Sequence, residues 1–198
     1  MATKGVKNIF LSASIPLPSR DTKYIETADI IAIRDAVIAL TTVVLPHHRI
    51  IWGGHPSITP LIYYVMEKLD MNIQEHVKLY QSLWFKDIFP PDNNKFENIV
   101  FTKKEDNIPA SIKLLREQMF LENEFSAAVF IGGMDGIEDE YRMFKEYHPE
   151  AVLLPIASTG AATKLVYDNL FPNNLKNTRL EKDYGYMSLF QKFLMDKI

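Results

Sequence analysis

The residues best suited to chemistry in this chain are one arginine, one glutamate and a set of glycines. Arg116 lies at the edge of the apolar stripe Ile112, Leu115 and Met119. A guanidinium there is costly unless it finds an anion or several acceptors, and its planar fork suits a phosphate or a carboxylate. Gly132, Gly133 and Gly136 follow the small and β-branched run Ser126 to Ile131 and lead to Glu138, Asp139 and Glu140. Glycines let backbone N–H groups approach a ligand closely, and a helix N-terminus favours anionic groups. Acidic residues in a first helical turn stabilise it through the helix dipole, which accounts for Glu138 and Asp139. Glu140 has the same explanation open to it, or it faces a sugar, a base or a developing cation.

Two further turns repeat the pattern of strand, small residues and helix. Gly53-Gly54-His55-Pro56-Ser57 follows Arg49 to Trp52, and Ile156-Ala157-Ser158-Thr159-Gly160-Ala161-Ala162 follows Ala151 to Pro155. Ser12 and Ser14 end the first strand, where they bond a phosphate or ribose or stand as turn serines. His55 is within reach of the same ligand. His47-His48 lacks a partner at metal-ligand spacing, so no metal site is expected. Packing alone accounts for one glycine turn; three small-residue turns at strand ends call for a ligand.

The elements that position these residues alternate. Strands are expected at Lys7 to Ser12, Arg49 to Trp52, His76 to Gln81, Asn98 to Thr102, Ser126 to Ile131 and Ala151 to Pro155. Helices are expected at Ala28 to Val44, Ile58 to Leu69, Ala110 to Leu121, after Gly136 and at Thr163 to Leu170. Ala28 to Val44 is apolar nearly all round and should be buried. Pro18 to Thr27 reads as a polar loop, and Leu83 to Lys95, with Trp84, Phe85 and Phe89, as an aromatic loop suited to a lid. A last helix, about 186–198, packs on the domain through Phe190, Phe193 and Leu194. The fold class is therefore α/β, a mostly parallel Rossmann-like sheet flanked by helices on both faces, in a single domain over 1–198. In such sheets ligands bind at the carboxyl ends of the strands.

Composition narrows the partners. The 198 residues are 47% hydrophobic, which is ordinary for a folded domain. A net charge of -3 leaves no footprint for nucleic acid. There is no cysteine, so disulfides and thiolate metal sites are ruled out. Neither a signal peptide nor a membrane span is read, and a cytoplasmic protein is expected.

These residues resemble the SLOG superfamily, Rossmann-like domains that include the LOG phosphoribohydrolases and the SLOG domains attached to TIR or Sir2 modules in bacterial antiviral systems. The phosphoribohydrolases carry PGGxGTxxE after a helix with a catalytic arginine. Gly132, Gly133, Gly136 and Glu140 match the motif's glycines and glutamate, and Arg116 lies sixteen residues before Gly132. Ile131 stands where the motif has proline, Ile137 where it has threonine, and Met134-Asp135 adds one residue between the glycines. Those departures make the chain more similar to the defence-associated branch. The resemblance implies a receptor for an NAD-derived, cyclic ADP-ribose-like or related nucleotide signal, acting as a sensor or sequestering protein. The alternative it implies is a hydrolase that cleaves the N-glycosidic bond of a nucleoside 5′-monophosphate, with Arg116 and Glu140 catalytic. The ligand-binding set is Ser12, Ser14, Gly53, Gly54, His55, Arg116, Gly132, Gly133, Gly136, Glu140, Thr159 and Gly160. No cofactor is implied, and a homo-dimer or higher oligomer is.

Overall fold

Ile9, Phe10 and Leu11 are all buried, although successive residues of a strand face opposite ways. That pattern requires a sheet covered on both faces. The computed structural model describes residues 5–69 and 74–198. In chain order the elements are β1 (Asn8–Ser14), α1 (Thr22–Ile25), α2 (Ile30–Val44), β2 (Arg49–Trp52), α3 (Thr59–Lys68), β3 (Val77–Ser82), β4 (Ile99–Thr102), α4 (Ile108–Leu121), β5 (Ala127–Gly132), α5 (Asp135–Tyr147), β6 (Val152–Ile156), α6 (Ala161–Asn169), α7 (Thr178–Lys182) and α8 (Tyr186–Phe190).

The sheet runs β4-β3-β2-β1-β5-β6, and each of its pairings is parallel. After β4 the chain crosses back through α4 and inserts β5 beside β1, in register from Ile9 against Ala127 to Ser14 against Gly132. The direction of winding therefore reverses between β1 and β5. Helices α4, α5 and α6 pack side by side on one face; α3, α2 and α8 do so on the other. The α/β class, the single domain and the Rossmann-like sheet with helices on both faces all hold.

Phe10 anchors the α4–α5 face. Its ring meets Phe120 edge-on at 5.0 Å and stacks on Phe144 at 5.5 Å, with Phe125 and Phe130 around them. Such pairs add about 0.5–1.5 kcal/mol each beyond their buried area. Farther along the same face, the fully buried Tyr80 donates its hydroxyl proton to Glu122 Oε2 at 2.8 Å and accepts from Asn123 Nδ2 at 2.9 Å. Lys78 Nζ bonds Asn123 Oδ1 at 3.0 Å and completes the network. Burial keeps the Tyr80 phenol protonated far above its ordinary range, with the Asn123 bond opposing that shift and Glu122 adding to it. Tyr80→Phe should cost about 1 kcal/mol, because it leaves one Asn123 N–H without its acceptor while the other keeps the Met119 carbonyl; urea denaturation would measure the loss.

Several boundaries differ from expectation. β1 runs on to Ser14, which places Ser14 as well as Ser12 on the strand. The second helix starts at Ile30 because Asp29 caps it, its side chain accepting from Ala32 N. It is not buried all round: Ile31 is 70% exposed, and Ile30, Arg34 and Asp35 also face out. The expected polar loop at Pro18 to Thr27 contains the short helix α1. At the C-terminus α8 passes at Phe190 into a π turn, Gln191–Met195. Leu189, Phe190 and Leu194 are fully buried there, while Phe193 lies half-buried near the Arg179 guanidinium.

The segment Leu83 to Lys95 is not a lid over the β1–β5 junction. Because β3 and β4 are parallel, this stretch must carry the chain back to the amino end of the sheet. It does so over the α3 face in two 3-10 turns, Leu83–Ile88 and Pro91–Lys95. Its aromatics pack locally: Phe89 stacks on Phe101 of the edge strand, and Trp84 lies under Lys104. The 3-10 turns end beneath Phe96, which packs on Trp52 and Tyr63.

Candidate functional site

The reversal of winding leaves a crevice at the carboxyl ends of β1 and β5, the position at which open α/β sheets hold ligands. Gly132 and Gly133 turn the chain there with φ of 61° and 79°. A Cβ on Gly132 would stand 2.9 Å from the Ser14 carbonyl oxygen, and one on Gly133 would strike Ile137. The turn is fastened on both sides. Gly133 N donates to Ser14 O at 2.8 Å, Gly132 N to Thr159 Oγ1 at 2.9 Å, and Thr163 Oγ1 to Gly132 O at 2.9 Å. Helix α5 then begins with no side-chain cap, so its first amides open toward the crevice.

Arg116 and Glu140 meet below this turn. Arg116 Nε donates to Glu140 Oε1 at 3.0 Å and its Nη2 to the Gly136 carbonyl at 3.1 Å, and Nη1 stands 3.5 Å from Asp139 Oδ2. The Ser12 hydroxyl donates to the other oxygen, Glu140 Oε2. Strand β1, helix α4 and helix α5 thus share one charge-assisted network. The Arg116 side chain is 11% exposed and that of Glu140 21%. Gly136 is open here for a reason, since a Cβ would come within 3.0 Å of Arg116 Nη2.

The second glycine turn stands beside β1 on the other side. Ser57 Oγ accepts from Ile15 N at 3.2 Å and lies 2.7 Å from His55 Nδ1. Ser57 N donates to that same Nδ1 at 3.2 Å, so the ring proton of neutral His55 falls to Nε2. Burial holds the His55 pKa below its ordinary 6.5, and burial likewise lowers that of His148 against the opposing effects of Phe120 O and Glu124. A depressed histidine pKa contributes stability that is fully present above the unfolded value. That stability is lost as pH falls from 6.5 through the depressed folded value. Thermal midpoints should therefore drop between pH 7.5 and pH 5.5, and His55→Asn should flatten the slope; an unchanged slope in that variant would remove His55 from the account.

The third turn lies on the far side of β5. Thr159 Oγ1 donates to Ile156 O while accepting from Gly132 N, and Gly160 has φ 71° and ψ -152°. Ala161 follows at φ 56°, its N–H donating to Thr27 Oγ1 at 2.9 Å. The structure thus brings Ser12, Ser14, Arg116, Gly132, Gly133, Gly136, Glu140, Thr159 and Gly160 into one connected set. Gly53, Gly54 and His55 line the neighbouring turn, joined to β1 through Ser57.

Sequence reasoning passed over the segment that crosses this crevice. Between β1 and α2, Tyr24 donates to Glu138 Oε1 at 3.0 Å, Arg20 pairs with Asp135 at 3.5 Å, and Thr27 holds Ala161 N. Asp29 N also donates to Thr159 O. The link between Pro18 and Thr27 is thereby tied to both the β5 and β6 turns. Its polar composition was the available signal, but it did not say what the polar groups would hold.

Two open hollows, of about 410 and 550 Å³, lie at the amino-terminal end of the sheet, around Arg49 and Glu97 and around His148 and Ile198. Neither includes a residue of the crevice. Among the described residues no group of three His, Cys, Asp or Glu side chains is placed to hold a metal ion, and no helix is long and apolar enough to cross a membrane.

This geometry has relatives. The X-ray structure of TM1055, solved as a structural-genomics target, is similar with a TM-score of 0.56 over 88% of this chain and 89% of that one, at 14% identity. At that identity the likeness speaks for the fold. No curated protein matches the chain by sequence. The sequence model of a family described as SLOG cluster3 matches residues 23–194. The match starts after Ser12 and Ser14 but takes in Arg116, Glu140 and all three small-residue turns, and over that much of the sequence the kinship is plain: the chain belongs to the SLOG cluster3 family.

Proposed function

We propose that the chain binds a nucleotide-derived small molecule in the crevice between the glycine turns. Family membership supports a nucleotide-related function. The observation that carries binding is the state of Glu140: both of its oxygens are already engaged, by Ser12 and by Arg116. A carboxylate held this way keeps further lone pairs for a ribose hydroxyl, while the uncapped start of α5 suits a phosphate. On this reading the protein is a cytoplasmic sensor or sequestering protein for an NAD-derived or cyclic ADP-ribose-like signal. The departures at Ile131, Met134-Asp135 and Ile137 support a place in bacterial antiviral signalling. A homo-dimer or higher oligomer belongs to the same reading and is checked by light scattering.

One observation favours a second reading. Arg116 and Glu140, the pair that the phosphoribohydrolase motif requires, are in contact at 3.0 Å beside Gly136. Cleavage of an N-glycosidic bond passes through a cationic sugar, which a carboxylate at that position would stabilise. Thermal shift with AMP, NAD, ADP-ribose and cyclic ADP-ribose, followed by chromatography of each stabilising compound, separates the two. Recovery of the intact compound after long incubation is the expected result. Release of free base, slowed at least about a hundredfold by Glu140→Gln, would replace binding by hydrolysis.

A further inference from the structure

Among the described residues, Gln81 is a polar side chain near the crevice whose chemistry remains unused. It sits next to the carboxyl end of β3 and is 6% exposed. Tyr80, its neighbour, reaches Glu122 at the end of α4, so Gln81 points to the opposite, α3 face. There it packs directly beneath the second glycine turn. A Cβ on Gly54, which has φ 69°, would overlap Gln81 Nε2 and come within 2.8 Å of Gln81 Cδ. Gly54 is therefore bare in the direction from which the Gln81 carboxamide rises.

That carboxamide has two N–H donors and an acceptor oxygen. Among the described residues it makes no hydrogen bond, and its neighbours Leu79 and Phe101 have none to offer. Asn93 and Thr102 also hold unpartnered polar atoms, but those are sealed from solvent. The Gln81 amide atoms are not among the sealed ones, so they remain open to solvent beside the Gly53-Gly54 turn.

We propose that Gln81 is a specificity residue that reads a base presenting an amino donor beside a ring-nitrogen acceptor, as adenine does. Its Oε1 accepts from the exocyclic amino group and its Nε2 donates to the adjacent ring nitrogen, the bidentate pairing by which carboxamides select adenine. β3 lies two strands from β1 in the sheet. At about 4.8 Å per strand, that separation suits a base whose phosphate lies at the β1–β5 junction. The inference rests on the nucleotide reading above and adds to it which base is taken and by what.

The test compares AMP with IMP on the unaltered protein, Gln81→Met and Gln81→Glu, by calorimetry and thermal shift. In IMP the amino group becomes a carbonyl and N1 gains a proton, so that at the N7 edge both groups are acceptors and turning the carboxamide over does not restore the pair. The unaltered protein should bind AMP about tenfold to a hundredfold more tightly than IMP. Gln81→Met should lose that preference through weaker AMP binding alone, with IMP binding and the ligand-free midpoint maintained, because the methionine fills the same volume. Gln81→Glu, which lacks the N–H donor, should lose it too and covers the case in which the methionine variant fails to fold. If AMP binding survives both substitutions, or if AMP and IMP weaken equally, Gln81 is a packing residue and the proposal falls while nucleotide binding stands. If neither compound nor NAD nor ADP-ribose shifts the unaltered protein, both the proposal and the nucleotide reading fall.

Discussion

Gly160→Ala is expected to destabilise the protein by about 3 kcal/mol or more, a fall in thermal midpoint of roughly 6–12 °C for a chain of this size. Two independent causes combine. The backbone at φ 71° and ψ -152° belongs to a region that only glycine occupies readily. In addition, the added methyl would strike the Thr27 carbonyl oxygen and stand 2.5 Å from its carbon, and these are backbone atoms that no rotamer change can move. Relief requires the chain to withdraw Thr27, which would break the Thr27 bond to Ala161 N and strain that of Asp29 N to Thr159 O. Gly5→Ala, with nothing within 4 Å, supplies the neutral control. Calorimetry on the pair decides the matter. A loss below 1 kcal/mol for Gly160→Ala would mean that the crossing segment is held far more loosely than its hydrogen bonds indicate.

Removal of Arg116 should be nearly as costly and should act on binding as well. Its guanidinium is mostly buried and neutralises Glu140, so Arg116→Ala leaves a half-enclosed carboxylate facing only the Ser12 hydroxyl. Breaking a fully buried pair costs about 3–5 kcal/mol; the 21% exposure of Glu140 lowers the expected figure to about 2–3 kcal/mol. A double-mutant cycle with Glu140→Ala isolates the pair and should return a coupling of about 1–2 kcal/mol, with the double variant more stable than the sum of the singles. The nucleotide-dependent thermal shift should disappear in Arg116→Ala, because the Gly136 carbonyl and the start of α5 lose their anchor. A persistent shift would take Arg116 out of the binding site and leave it a purely structural cation.

The parts of this architecture that could be read in the sequence are those set by local composition. Arg49–Trp52 has the bounds expected for it because Pro46 and the Gly53-Gly54 pair punctuate both ends. The glycine turns were legible because a positive φ at Gly54, Gly132, Gly133 and Gly160 is a demand on residue type. The Arg116–Glu140 pair was approachable through spacing, although spacing said only that both belong to the site and not that they bond each other. What escaped was decided by tertiary neighbours. Gln81 reads as an ordinary strand end until Gly54 is found above it. Tyr24 and Thr27 lie in a stretch of polar residues that differs from any other loop only in what it touches. The aromatic run after Ser82 reads as a lid until its partners are seen: Phe89 stacks on Phe101 and Trp84 lies under Lys104, contacts that nothing local to the run reveals.

The pairing of β1 with β5 also sets a timetable. Ile9 pairs with Ala127, so the centre of the sheet cannot close until most of the chain exists. Contacts so distant in sequence are slow to form, because loop-closure entropy is spent before they return anything. During synthesis β1 therefore waits with one edge open, its apolar run Ile9 to Leu11 a hazard for misassociation until α4 and β5 arrive. Ser12 and Ser14 meet Glu140 and Gly133 only in that last closure. The crevice is accordingly absent from every partly folded form, and any molecule that fits it would reward completion of folding and nothing short of it.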